Sequence, residues 1–200
     1  MLSCAASEDG VPVPFLWVVA RNPIVRERRM NEIECIGEMT PAMTPPAEQT
    51  EREVVLARLA AIPARIARTV EGWDAAQLAA PPHAGEWPAQ AIPAHLRAAD
   101  DILAPRAFMV LVRDNLPLAS YDERRWGAIA GYGQADFRAS LALYTARRAE
   151  LVGALQRLAP GDWLRSGTHE TRGPVTLLDL MCGLADHEEE HAAQLETLAP

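Results

Sequence analysis

Apolar residues recur at three- and four-residue intervals in four stretches of the chain, each long enough for a full helix. In the first, Val55, Leu59, Ile62, Ile66 and Val70 share a face. A capping-box pattern at Thr50 and Glu53 opens that stretch, which predicts a helix to about Glu71 with a kink at Pro63. The second runs from about Pro88 to Asp114, with Ile92, His95, Leu96, Ala99, Leu103 and Phe108 on its apolar side. Pro93 either moves its regular start to near Ile92 or distorts the first turns, and Pro105 bends it again. The third spans about Ala135 to Leu158 and aligns Phe137, Leu141, Tyr144, Leu151, Leu155 and Leu158. The fourth starts at Thr176, a capping residue with Asp179 at the third helical position, and aligns Leu180, Leu184, His187, His191, Leu195 and Leu198.

The intervening stretches read as connections. Gly72-Trp73 and Pro81-Pro82 close the first helix, and Asp162 to Arg172 is the last loop. Pro117 to Gln134, with Gly127, Gly131 and Gly133, reads as a loop holding one short helical piece. Strand signal is slight throughout, so the pattern predicts an all-α, antiparallel four-helix bundle over residues 49–200. Residues 1–48 read differently: a tail expected to be mostly disordered, ending in the proline-rich linker Thr40 to Pro46. Its apolar run Val11–Ala20 is broken by Pro12 and Pro14, too short to span a bilayer, and lacks the flanks of a signal peptide. Met30, Met39 and Met43 are alternative starts that would shorten this tail.

Composition narrows the partners. A net charge of -8 argues against nucleic acid and gives no reason to expect an anionic membrane surface. The cysteines, Cys4, Cys35 and Cys182, form neither a metal-like spacing nor an even disulfide framework, which fits a reducing cytoplasm.

The chemistry lies in the fourth stretch. His187 and His191, four apart, project from one helical face within reach of a single ion, and they sit where a bundle helix keeps core residues. Two imidazoles there need a metal or hydrogen-bond partners, and the spacing alone leaves both readings open. The run His187-Glu188-Glu189-Glu190-His191 matches H-E-x-x-H, but Gln194 and Thr197 stand where the metzincin continuation requires Gly and His. A third ligand must therefore come from upstream. His95 lies on the apolar side of the second helix, and facing helices of a bundle bring such side chains to one site. His83 and His169 fall in loops, where a solvated role is expected. Glu188 reads either as a support or proton acceptor for the site, or as one acid of a solvated run with Glu189 and Glu190. Arg148 shares the apolar stripe of the third helix, which fits a snorkelling side chain or a half-buried ion pair near the site.

Trp87 followed by His95, the late pair His187 and His191, and the segments Ile62-Pro63-Ala64, Gly85-Glu86-Trp87, Ala94-His95-Leu96 and Gly173-Pro174-Val175-Thr176 resemble the DinB-like superfamily. The resemblance covers about residues 50 to 198. It implies a four-helix bundle, a divalent metal held by His95, His187 and His191, and a homodimer. Members with assigned activities are thiol-dependent transferases or isomerases that use small thiols. Pro88 and Pro93 depart from the family pattern, which has a capping serine and an aliphatic residue there. No catalytic nucleophile is evident near the ligands. The expected function is a metal-dependent enzyme, a thiol-dependent transferase or a hydrolase acting on a small molecule. Zinc or nickel would be the ion, with a low-molecular-weight thiol as a further cofactor. The alternative is a non-catalytic metal-binding or stress-response bundle that acts through dimer contacts.

Overall fold

The computed structural model describes residues 46–83 and 85–198. The N-terminal tail expected over residues 1–48 falls almost wholly outside them. Four long helices form the body: α1 (Pro46–Thr69), α3 (Ala91–Val112), α5 (Phe137–Leu155) and α6 (Leu177–Thr197). The short helices α2 (Ala75–Ala79) and α4 (Glu123–Ala130) lie in the connections, with 3-10 turns at Tyr132–Gln134 and Pro160–Leu164. No described helix is long and apolar enough to cross a membrane.

The four-helix bundle is the expected one, and its helix directions follow from two apolar clusters stacked along its axis. One cluster joins Val55 and Leu59 of α1, Leu103 to Val110 of α3, Leu151 to Leu155 of α5 and Leu177 to Ala185 of α6. The other joins Ile62 to Val70, Ile92 and Leu96, Phe137 to Tyr144, and Ala192 and Leu195. From the first cluster to the second, residue numbers rise along α1 and α6 and fall along α3 and α5. Hence α1 packs antiparallel to α5, and α3 antiparallel to α6. The neighbours α1 and α6 run parallel, which the ion pairs Arg58–Asp186 and Arg65–Glu196 also show. So do α3 and α5. Parallel neighbours cannot be joined by tight turns, so the 113–136 connection between α3 and α5 has to travel the length of the bundle.

Several boundaries differ from the sequence reading for local reasons. Helix α1 begins at Pro46, so Thr50 and Glu53 lie inside it and do not open it. Helix α3 begins at Ala91 after Gln90, which puts Pro93 in the first turn. The N–H groups of a first turn have no partner within the helix, so proline sits there without loss. Phe108, placed on the apolar side, is 42% exposed, because that side ends at Ala107 and Val110. Thr176 caps α6 as expected, in a reciprocal box with Asp179.

The strands are the larger addition. β1 (Leu116–Leu118) pairs in parallel with β2 (Ser166–His169), which pairs antiparallel with β3 (Gly173–Thr176). These strands are three or four residues long and carry Pro117, Gly167 and Pro174, so they show no alternation to read. Gly167 is required: a Cβ there would come within 2.9 Å of the Leu116 carbonyl oxygen. The sheet holds the two long connections together, and β3 runs directly into the cap of α6.

Candidate metal centre

The capped start of α6 fixes the phase of that helix, and one turn separates His187 from His191. Helix α3 passes antiparallel to it and presents His95 to both. The three rings form a triangle with centroids 4.6 to 4.9 Å apart and planes 70° to 88° from one another. Their ligand nitrogens all lie within 4.8 Å of each other, and His95 Nε2 is 2.8 Å from His187 Nε2. Nitrogens on one tetrahedral zinc stand about 3.3 Å apart, so small rotations of these rings suffice to receive an ion. The structure thus brings His95, His187 and His191 together as the sequence predicted. His95 and His187 are buried, while His191 is partly exposed.

The donor set is neutral. Burial, with His191 nearby, pushes His95 down to about 3. Burial, then His191 and His95, holds His187 well below the ordinary range, and burial also lowers His191. The nitrogens of His95 and His187 share a hydrogen bond, which two imidazolium rings cannot do. His191 Nδ1 stands 3.0 Å from the Gln194 amide oxygen, a pure acceptor. Nδ1 therefore donates, and Nε2 keeps its lone pair, the orientation a metal-binding histidine needs. Three neutral imidazoles suit a divalent cation well.

Aromatic side chains close the wall behind His95. Trp87 lies 4.8 Å from the His95 ring, and Tyr132 meets Trp87 edge-on at 5.8 Å. Helix α4 leans on this wall through Gly127, where a Cβ would come within 2.8 Å of the Tyr132 ring and 3.2 Å of Trp87. A glycine in the middle of a helix costs stability, and here contact with the wall demands it.

Beside the histidines a charged layer crosses the core. Arg148 of α5 donates to Asp100 of α3 at 2.6 Å and to Glu188 of α6, and all three are at most 2% exposed. The snorkelling reading of Arg148 and the solvated reading of Glu188 are both overturned: each side chain points to the bundle centre. Burial pushes Glu188 up to about 8 despite the pull of Arg148, and pushes Asp100 up to about 6. One guanidinium between two buried carboxyls leaves an acid without a countercharge, so one carboxyl retains a proton near neutrality. Tyr144 faces the same group, its phenol raised by burial and by Glu188. Asp100 was not singled out by the sequence. Its signal was indirect, an arginine on an apolar stripe that needed an acid opposite.

The remaining candidates lie apart. His83 is exposed, as expected. His169 ends β2 instead of lying in a loop, with its Nδ1 accepting from the Thr171 backbone N–H. Burial, then Arg172 and Arg106, lowers its pKa. Cys182 is a free thiol pushed up to about 11 by burial, which keeps it protonated and unreactive.

Bundle, histidine triangle and chain order together define a class: the protein belongs to the DinB superfamily, whose family model matches residues 58–195. Within that class it is similar to YfiT of Bacillus subtilis (strain 168), whose name proposes a metal-dependent hydrolase. The two are 25% identical over 165 residues, covering 82% of this chain and 92% of YfiT. The solved structure of YfiT, described as having an unusual four-helix bundle topology, superposes with a TM-score of 0.70 at 25% identity. That match covers 82% of this chain and 93% of YfiT.

Proposed function

We propose that the protein is a divalent-metal-dependent enzyme acting on a small molecule, with His95, His187 and His191 as the ligands and hydrolysis as the reaction. The observation that carries this reading is the convergence of three neutral imidazoles from α3 and α6, two of them buried and His191 partly exposed. Three protein ligands are the complement of a catalytic site, whereas structural zinc sites are closed by four. Zinc and nickel both accept imidazole. Bound there, the cation supplies Lewis acidity that polarises a substrate carbonyl and eases ionisation of the nucleophile. The chain's own part is to orient His191 through Gln194 and to back His95 with Trp87 and Tyr132. YfiT's proposed hydrolase activity supports the reaction type.

Transfer to a small thiol is the second reading, favoured by the orientation of Glu188. This acid of the H-E-x-x-H run is turned inward to Arg148, and among the described residues no carboxylate joins the three histidines in the cluster. A site without its own base favours a nucleophile that ionises readily, as a thiol does. A homodimer in a reducing cytoplasm completes the proposal.

Elemental analysis after zinc or nickel supplementation tests it. The protein should hold about one ion per chain. Alanine at His95, His187 or His191 should abolish retention, and alanine at His83 or His169 should not. Negligible metal, or full retention by His95→Ala, would sink the reading. Metal-dependent turnover of an activated ester, against transfer of an activated electrophile to a small thiol, separates the two chemistries. Metal without either turnover points to the non-catalytic bundle.

A further inference from the structure

One end of the sheet gathers positive charge in a chain whose net charge is -8. Leu118 of β1 pairs with His169 of β2, and past that pair the Glu170 N–H donates to the Leu118 carbonyl at 3.2 Å. The Ser120 N–H donates in turn to the Glu170 carboxylate at 2.8 Å. Arg106 of α3 reaches the same level. Its Nη2 donates to the Ala119 carbonyl, and its guanidinium sits 5.6 Å over the Tyr121 ring. Arg172 follows in the turn between β2 and β3. It makes no hydrogen bond or ion pair among the described residues, and neither do Nε and Nη1 of Arg106. Arg106 follows His95 by about 16 Å along α3, so this group is separate from the histidine triangle.

We infer that this end of the sheet is a binding site for a small oxyanion, a phosphate or a carboxylate, held by Arg106, Arg172 and the His169 ring. Arg106 is fixed by the Ala119 carbonyl and the Tyr121 ring, so its planar fork is oriented before any ligand arrives. Arg172 is exposed and supplies a second charge. His169 Nδ1 accepts from the Thr171 N–H at 3.3 Å, which in the neutral ring leaves the proton on Nε2 as a further donor. The positive groups act on one another. Burial, then Arg172 and Arg106, lowers the His169 pKa. Burial also lowers that of Arg106, and Arg172 adds to the shift against Tyr121 and Glu170. An anion relieves this repulsion, whereas a cation would add to it and a neutral group would leave it in place. Glu170 is the acid beside them, and one carboxylate reduces two guanidinium charges without cancelling them. Guanidinium bonds to phosphate or carboxylate are charge-assisted, the strong pairing for such groups.

Backbone-amide NMR titrations of the full chain test the inference, with inorganic phosphate, phenyl phosphate and uncharged trimethyl phosphate as probes. Chelator-treated protein is used, so that no metal at the histidines can capture the anion and the outcome is independent of the metal reading. Phosphate should bind saturably at about 1 mM or tighter, with the largest shifts at Ser120, Thr171 and Arg172, and trimethyl phosphate should not bind. Arg172→Gln should weaken phosphate by about tenfold, and so should Arg106→Gln. The exposed Arg172 makes no bond within the fold, so its variant stays informative if loss of Arg106 loosens the Tyr121 segment. Glu170→Gln should act in the opposite direction and tighten binding severalfold, and added sodium chloride should weaken it. Tighter binding of phenyl phosphate than of inorganic phosphate assigns the anion to an organic ligand, and the reverse order assigns it to the free ion; both keep the site. Equal binding of trimethyl phosphate, insensitivity to Arg172→Gln, shifts centred on the histidine triangle, or no phosphate binding overturns it.

Discussion

Arg148 reaches from α5 to acids on two other helices, and its neighbours differ from those of an ordinary surface arginine. Its Nε and Nη1, and Asp100 Oδ2, are buried with no hydrogen-bond partner among the described residues. A buried ion network satisfied only in part is a weak source of net stability, yet removing one member strands the others. Arg148→Met should therefore destabilise by about 3–5 kcal/mol in urea unfolding. A loss within about 0.5 kcal/mol would show that the two acids tolerate each other without it. Asp100 permits a separate test with a definite sign. Its folded pKa, about 6, lies above the ordinary value of 3.8, because burial disfavours the charged carboxylate. The stability linked to its protonation is fully present below the unfolded value and is lost as pH rises through the folded one. Asp100→Asn should thus gain on wild type between about pH 4 and pH 6, measured as the difference in unfolding free energy of chelator-treated proteins. A difference independent of pH would contradict the raised pKa. Glu188 explains why the sequence left its role open. One step along the helix turns a side chain by about 100°, and nothing in a run of three acids says which of them that step carries inward.

Among the elements, the long helices and the histidine triangle were legible because each rests on a periodicity that a single chain segment carries. His95, His187 and His191 all lay on apolar stripes, and apolar stripes face one interior. The sheet was not legible. Its pairing joins Leu116–Leu118 to Ser166–His169, far apart in sequence, and a four-residue strand with a glycine in it has no pattern of its own. Helix α4 was anticipated only as a short helical piece, and its attachment through Gly127 had no signal beyond the glycine itself. That attachment yields a prediction. Alanine normally improves a helix interior by about 1 kcal/mol over glycine. Here the new Cβ would strike the buried Tyr132 ring at 2.8 Å. Overpacking of this kind costs about 1–3 kcal/mol, so Gly127→Ala should be a net loss. A rise in melting temperature would mean that the aromatic wall can step back freely.

For the whole molecule, the sequence reading expects an antiparallel bundle but not which neighbours run parallel, because amphipathic stripes say which face is inside and nothing about which helices pack side by side. The resulting parallel contact of α1 with α6 is laced by Arg58, which pairs with Asp186 at 2.5 Å and Glu189 at 2.8 Å. These side chains are 28%, 48% and 37% exposed. Solvent screens such pairs, so Arg58→Ala should cost no more than about 1 kcal/mol, and less as salt is raised. A loss as large as that of Arg148→Met would show that the α1–α6 contact depends on charge and not on its apolar seam.

The charged layer also sets the helices' longitudinal alignment. Apolar stripes alone tolerate a slide of one helical turn, about 5.4 Å, since one leucine can replace another in the seam. Arg148 permits no such slide. A shift of α5 in either direction would carry its guanidinium into one of the two apolar clusters and leave Asp100 and Glu188 facing hydrocarbon. A bundle whose parallel neighbours lack the short turns that hold other bundles in step thus has an internal pin. Because that pin joins α3 to α6 through α5, it locks at the same level the two helices on which the histidines must meet.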